Sequence, residues 1–127
     1  MAIDHISIAV SDLERSAAFY EVVLAPLGYT RMVVRPTTVG FGKRFPEIWI
    51  NHRPGMTRAD PDPGHHACLR ASSDEAVLAF HAAALANGGA DAGARGPRQA
   101  AMTTYVGAFI LDPDVAKLEA ACFPRPA

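Results

Sequence analysis

The chain opens on an alternation of apolar and polar positions. Across 3–10, Ile6, Ile8 and Val10 fall on one face and His5, Ser7 and Ala9 on the other, the period of a half-buried strand. The aliphatic face suits packing under a helix; the small polar face suits the wall of a cavity. Ser11-Asp12-Leu13-Glu14 then reads as a capping box, with the Ser11 hydroxyl accepting from the third backbone N–H and Glu14 reaching back. A helix is expected from there to about Pro26, with Leu13, Ala17, Tyr20 and Leu24 on one stripe and Gly28 as its stop. Residues 29–35 read as a strand ended by Pro36. A short glycine-rich strand follows at 39–42 and another at 47–51. In the last of these Ile48 and Ile50 face the helix, and Glu47 and Trp49 face the cavity.

The stretch 52–64, HRPGMTRADPDPG, is rich in proline, glycine and charge and reads as a linker. The pattern then restarts. His66, Cys68 and Arg70 share one face of a strand, and Ala67, Leu69 and Ala71 the other. Ser72-Ser73-Asp74-Glu75 offers a second capping box, and an alanine-rich helix runs to about Asn87 before Gly88-Gly89. A short strand near 89–93 and then a mobile loop to 102 are expected. A strand at 104–111, a turn at Asp112-Pro113-Asp114 and a last strand at 115–122 complete the half. In that last strand Lys117 and Glu119 share a face. The tail FPRPA should be loosely ordered.

The two halves match by an offset of 61. Residues 5–28 and 66–89 share eight identities in 24 positions: His5 with His66, Ser11 with Ser72, Glu14 with Glu75, and Gly28 with Gly89 among them. The element order is βαβββ, twice, which defines an α+β class; neither a doubly wound sheet nor an all-β fold gives it. Each copy is too short to bury its own core, so the two must share one. The expected organisation is a single domain over 1–127, with module one at 1–51, the linker at 52–64 and module two at 65–122.

Composition narrows the function. Half of the 127 residues are hydrophobic and the net charge is −1. No basic run or basic-aromatic cluster points to nucleic acid. No apolar stretch approaches the roughly 20 residues that span a membrane. No signal-peptide pattern opens the chain. Two cysteines, Cys68 and Cys122, fit reduced thiols better than a disulfide framework. Cytoplasmic location is the default expectation.

The stretches DHISIAVSDLERSAAFYEVVLAPLGY, VGFG, EIWI, HACLRASSDEAVLAFHAAALANGG and AFILDPDVAKLEA carry a resemblance. The chain resembles the vicinal oxygen chelate superfamily, which includes glyoxalase I, extradiol dioxygenases, fosfomycin-resistance proteins and bleomycin-binding proteins. The likeness covers nearly the whole chain. It implies two βαβββ modules whose curved mixed sheets enclose a cavity, and a divalent metal (Zn, Ni, Mn, Co or Fe) bound there. The metal positions it implies fall on His5, His66 and Glu119. A fourth, used in glyoxalases, lies in EIWI, where this sequence puts Trp49, with Glu47 one pleat away. Two imidazoles and a carboxylate suit such ions and leave positions open for paired substrate oxygens. The resemblance departs from its pattern at DPDVAK, where the family often has DPDGN, and at Ala100-Ala101-Met102, where relatives often have a histidine-proline pair.

Each residue also has a plainer reading. A histidine at a strand start is often a half-buried hydrogen bonder, and Glu119 can be a surface residue. His65 competes with His66 as the ligand, though the repeat and strand parity favour His66. Glu47 is a candidate general base, because proton abstraction beside a polarised carbonyl needs one. Its alternative is a solvated edge charge. Phe41, Trp49 and Tyr105 are candidate pocket walls, or else core or interface residues. Arg70 can meet an anionic substrate. His52 and His81 read as surface residues.

Two functional classes follow. One is a metal-dependent enzyme on a small oxygenated substrate, a lyase or isomerase of the glyoxalase kind before a dioxygenase. The other is a metal-free protein that sequesters an antibiotic or aromatic metabolite. A homodimer is expected in either class, because open sheet edges need cover and because the resemblance favours it.

Overall fold

The computed structural model describes residues 3–58 and 60–124. The elements are β1 (Ile6–Val10), α1 (Leu13–Leu24), β2 (Thr30–Arg35), β3 (Thr38–Gly42), β4 (Pro46–His52), β5 (Ala67–Arg70), α2 (Asp74–Ala86), β6 (Ala90–Gln99), β7 (Thr104–Leu111) and β8 (Lys117–Cys122). They form two four-stranded sheets, ordered β1-β4-β3-β2 and β5-β8-β7-β6. In each sheet the first strand pairs parallel with the last and the other pairs are antiparallel. The topology follows from the connections. A helix carries the chain from the first strand to the far edge of the sheet, and two hairpins bring it back. Each sheet is open, and neither closes into a barrel.

The alternation read from the sequence sets which face is buried. Ile6, Ile8 and Val10 of β1 pack toward the helices, as do Ile48 and Ile50 of β4. On α1 the buried face holds Ala17, Phe19, Tyr20, Val23 and Leu24, and on α2 it holds Ala76, Val77, Phe80 and Ala84. The two helices also pack against each other, so one apolar core runs under both sheets. Each fully buried valine, leucine, isoleucine or phenylalanine there contributes about 1.5–3 kcal/mol.

A second device ties the halves together. The turn between β7 and β8 reaches across to the start of α1. Asp114 accepts from the Ser11 N–H at 2.9 Å and from the Ser11 hydroxyl at 2.5 Å, with the Arg15 guanidinium 3.4 Å away. Asp112 accepts from the buried Tyr20 hydroxyl at 2.6 Å, and its other oxygen takes the N–H groups of Asp114 and Ala116. Burial, then the charge of Asp112, holds the Tyr20 hydroxyl well above its usual pKa. Burial likewise raises Asp112. At Asp114 burial alone would raise the carboxyl, but the bonds from Ser11 and Arg15 outweigh it and the net shift is downward.

Several boundaries differ from the sequence reading. Both helix caps sit one residue later than the capping boxes suggest. Asp12 accepts from the Arg15 N–H and Ser73 from the Ala76 N–H, each at 3.1 Å, which leaves Ser11 to Asp114. The first strand begins at Ile6, not at residue 3, and the last at Lys117, because Val115 belongs to the turn. The expected loop at 94–102 is mostly strand: β6 runs ten residues, Ala90–Gln99. It pairs with β7 through two register shifts around Gly93, which has φ of 150°. A stretch with no β-branched residue gives no strand signal, and here the neighbouring strand supplies the order. The last three residues of the FPRPA tail lie outside the described residues. Among the described residues no helix is long and apolar enough to cross a membrane.

Candidate functional site

The chemistry-bearing residues lie on the sheet faces turned away from the helices. In module two the face is built by register. Cys68 of β5, Glu119 of β8 and Phe109 of β7 lie side by side. His66 immediately precedes β5 and its Nε2 is 2.9 Å from Oε1 of Glu119. Its ring meets Phe109 edge-on at 5.1 Å between centroids. The Tyr105 hydroxyl donates to the other carboxylate oxygen, Oε2, at 2.6 Å, and its ring stacks on Phe123 at 4.6 Å.

Glu119 is only 2% exposed. Gly107 makes room for it: a Cβ there would lie 2.9 Å from Oε2 of Glu119 and 2.9 Å from the Tyr105 ring. Among the described residues no lysine or arginine forms a salt bridge with this carboxylate; His66 is its one basic partner. The carboxylate marks its neighbours. The hydrogen bond to Glu119, then burial, pushes Tyr105 up to about 12. Loss of hydration around the thiol, then the charge of Glu119, pushes Cys68 up to about 12.

Module one is built differently at the matching places. His5 precedes β1 as His66 precedes β5, but it pairs with the exposed Asp4, Nδ1 to Oδ1 at 2.7 Å. Trp49 lies in register between Ser7 and Gly40, as Glu119 lies between Cys68 and Phe109. The indole therefore stands where module two has its carboxylate. It lies flat over Gly40, where a Cβ would come within 2.9 Å of the ring, and the Arg35 guanidinium sits 5.9 Å from its centroid. Glu47 is half-buried, one pleat along.

A cavity of about 820 Å³ lies between the modules, lined by His5, Glu47, His65, His66, Cys68 and Arg70 among others. Both repeat-related histidines and the candidate base thus face one space. Glu119, Trp49 and Tyr105 do not line it; they lie on the sheet faces beside it. Phe41 is elsewhere. It is fully buried against Tyr20 under α1, because its register partner on β4 is Ile48, which faces the helices. It is a core residue and not a pocket wall. His81 is also not a surface residue: it is buried, and its Nε2 bonds Asp91 Oδ1 at 2.8 Å.

The fit to a metal is strongest in module two. Ligand distances near 2.0–2.2 Å place neighbouring donor atoms about 3 Å apart, the spacing His66 and Glu119 already have. A buried carboxylate without a cationic side chain suits a cation. Among the described residues no three of His, Cys, Asp and Glu converge on one point, so His5 stands apart from the pair. Nothing in the local pattern marks Asp114 or Asp112 as partners of module one, because both bonds cross between the halves. For Gly107 the signal was there: a glycine inside a strand marks a close approach.

The comparisons agree with this architecture. The profile of the Glyoxalase/Bleomycin resistance protein/Dioxygenase superfamily matches residues 2–120, and the chain belongs to that superfamily. The structure is similar to a glyoxalase/bleomycin resistance protein from Albidiferax ferrireducens T118, with a TM-score of 0.86 and 29% identity over 97% of this chain and 100% of that one. It shares its fold with a glyoxalase-related enzyme from Fulvimarina pelagi (TM-score 0.69, 18% identity, 100% and 94% covered). A glyoxalase/bleomycin resistance protein/dioxygenase family enzyme from Burkholderia phytofirmans PsJN shares it too (TM-score 0.66, 16% identity, 94% and 96% covered). No curated protein matches the chain.

Proposed function

We propose that this protein is a metal-dependent enzyme of the vicinal oxygen chelate type, a lyase or isomerase acting on a small oxygenated substrate. The observation that carries the reading is the buried Glu119 carboxylate, 2.9 Å from His66 and without a lysine or arginine partner among the described residues. His66 and Glu119 would hold the ion, with His5 as the third ligand. When bound, a divalent ion polarises a substrate carbonyl or alkoxide and stabilises the negative charge that develops.

The chain's own residues supply the rest. Tyr105 donates to Glu119 and fixes which carboxylate oxygen is free to face His66. Glu47 faces the cavity that the two histidines line, and takes the proton released beside the polarised carbonyl. Arg70 lines the same cavity and can hold an anionic group of the substrate.

A homodimer is part of this reading. Among the described residues His5 stands apart from His66 and Glu119, and each sheet leaves two edge strands, β1 and β2 in one and β5 and β6 in the other. Val34 on β2 is 65% exposed, an apolar edge that a second copy would cover. Sedimentation showing only monomer at micromolar concentration would remove the dimer.

A specific observation favours a second reading, a metal-free binding protein. Trp49 takes the place of a carboxylate and lies flat over Gly40, a platform on which an aromatic ligand can stack. Elemental analysis of untagged protein, dialysed against metal-free buffer, separates the two. The enzyme reading expects near one transition metal per chain in wild type and little in His66→Ala. No metal in either protein, even after reloading with Zn, Mn, Ni and Fe(II), sinks it. Quenching of Trp49 fluorescence by aromatic ligands would then support the second.

A further inference from the structure

The internal repeat exposes a site that the first half fills from within and the second half does not. Ser11 and Ser72 are equivalent, each just past the first strand of its module. Ser11 spends its N–H and its hydroxyl on the Asp114 carboxylate, delivered by the β7–β8 turn of the other module. Around Ser72 the corresponding turn, β3–β4, delivers Lys43 instead. Ser72, Lys43 and Arg70 line a separate cavity of about 590 Å³, floored by Ala71, Cys122 and Phe123. Where one half of the molecule holds a carboxylate, the other presents two cations and a serine.

The charges there are unanswered. The Lys43 ammonium lies 5.1 Å from the Tyr29 ring centre, and the Arg70 guanidinium 4.8 Å from that of Phe123. Among the described residues neither cation forms a salt bridge with a carboxylate. The aromatic contacts hold the Arg70 guanidinium by its face and the Lys43 ammonium by one side, and leave N–H groups of each for an acceptor.

We propose that this second cavity binds a small oxyanion, a carboxylate or phosphate group, on the Ser72 N–H and hydroxyl with Lys43 and Arg70. The bound anion would occupy the place that Asp114 takes beside Ser11. Arg70 lines both this cavity and the larger one, so the group can be a free anion or the anionic end of a longer ligand. The proposal does not depend on a metal, and its failure would leave the reading of His66 and Glu119 untouched.

The test is an amide-resolved NMR titration of the full chain with inorganic phosphate at constant ionic strength and pH. The Ser72 amide is expected to shift saturably in the millimolar range, with Ser11 unmoved because Asp114 already holds it. Lys43→Glu, a surface change whose remaining spectrum reports that the chain is folded, should weaken binding by about tenfold or more. Lys43→Gln should fall between. A Ser72 amide that does not move, or that moves equally in Lys43→Glu, overturns the proposal. Phenyl phosphate separates the two sources of the anion. If it also shifts His66 and Cys68, the bound group is the end of a ligand that reaches the larger cavity. If it shifts Ser72 alone, the site takes a free oxyanion.

Discussion

Val115 has φ of 72°, the left-handed region, and is the one non-glycine residue there among those described. The turn forces it. The Val115 N–H bonds the Asp112 carbonyl at 2.9 Å, and Asp112 Oδ1 grips the N–H groups of Asp114 at 2.9 Å and Ala116 at 2.8 Å. With both flanking residues tied to one carboxylate, the residue between them has little freedom. That conformation costs an L-residue about 1–2 kcal/mol. Glycine escapes this cost but loses about 0.4–1 kcal/mol through the greater freedom of its unfolded chain. Val115→Gly and Val115→Ala both remove the half-buried side chain, and only alanine keeps the strain. Val115→Gly should therefore be more stable than Val115→Ala by about 0.5–1 kcal/mol. For a chain of this size that is roughly 2–5 °C in Tm. At an ordinary helical or extended position the order is reversed. Urea midpoints and thermal unfolding of the two variants, run side by side, decide it. An alanine variant as stable as the glycine variant, or more so, would refute the account of the turn.

Three further predictions concern the same turn and the site. Tyr20→Phe leaves the buried Asp112 oxygen without its donor and should cost about 1–3 kcal/mol in chemical denaturation; a loss within error of zero would show that water satisfies it. Asp114 has a lowered folded pKa, so its contribution is complete above roughly pH 3.9 and is lost as the pH falls through the folded value. Asp114→Asn should thus lie well below wild type in stability at pH 7 and close on it toward pH 3, whereas a gap that stays constant with pH contradicts the linkage. Asp112, raised by burial, has the opposite sign; the charge of Asp114 adds to that rise, so in Asp114→Asn the opposing contribution of Asp112 shrinks and does not vanish. Gly107→Ala would press a Cβ against Glu119 and Tyr105. On the metal reading it should weaken zinc binding by about 10–100-fold while the chain still unfolds cooperatively; equal zinc affinity in the two proteins would count against it.

Much of the fold could be read from alternation alone. The faces of β1, β4 and β5 were legible because small, aliphatic and polar residues take turns there, and the repeat supplied the order of elements. The helix caps slipped by one residue because Ser11 and Asp12, like Ser72 and Ser73, are both capable caps. A partner 103 residues away decides the first pair. β6 was illegible for a different reason. Ala90–Gln99 carries glycine, proline and arginine, and only pairing with β7 makes it a strand. Parity favoured His66 over His65, and the resemblance, not parity, grouped it with Glu119; the structure has the two side chains 2.9 Å apart. Phe41 stayed open between pocket wall and core because a single glycine-rich strand does not declare its face; register against Ile48 does. His81 was hidden by the opposite fault, a polar residue on a helix whose buried face is not wholly apolar.

The bond between Ser11 and Asp114 has a consequence for the order of synthesis. A ribosome adds about 5–20 residues per second, so Asp114 follows Ser11 by roughly 5–20 s. From His52 onward the first module has all of its own residues but still lacks the carboxylate that receives Ser11 and the acceptor for Tyr20. The nascent first half must wait, unfinished, for the last hairpin to emerge.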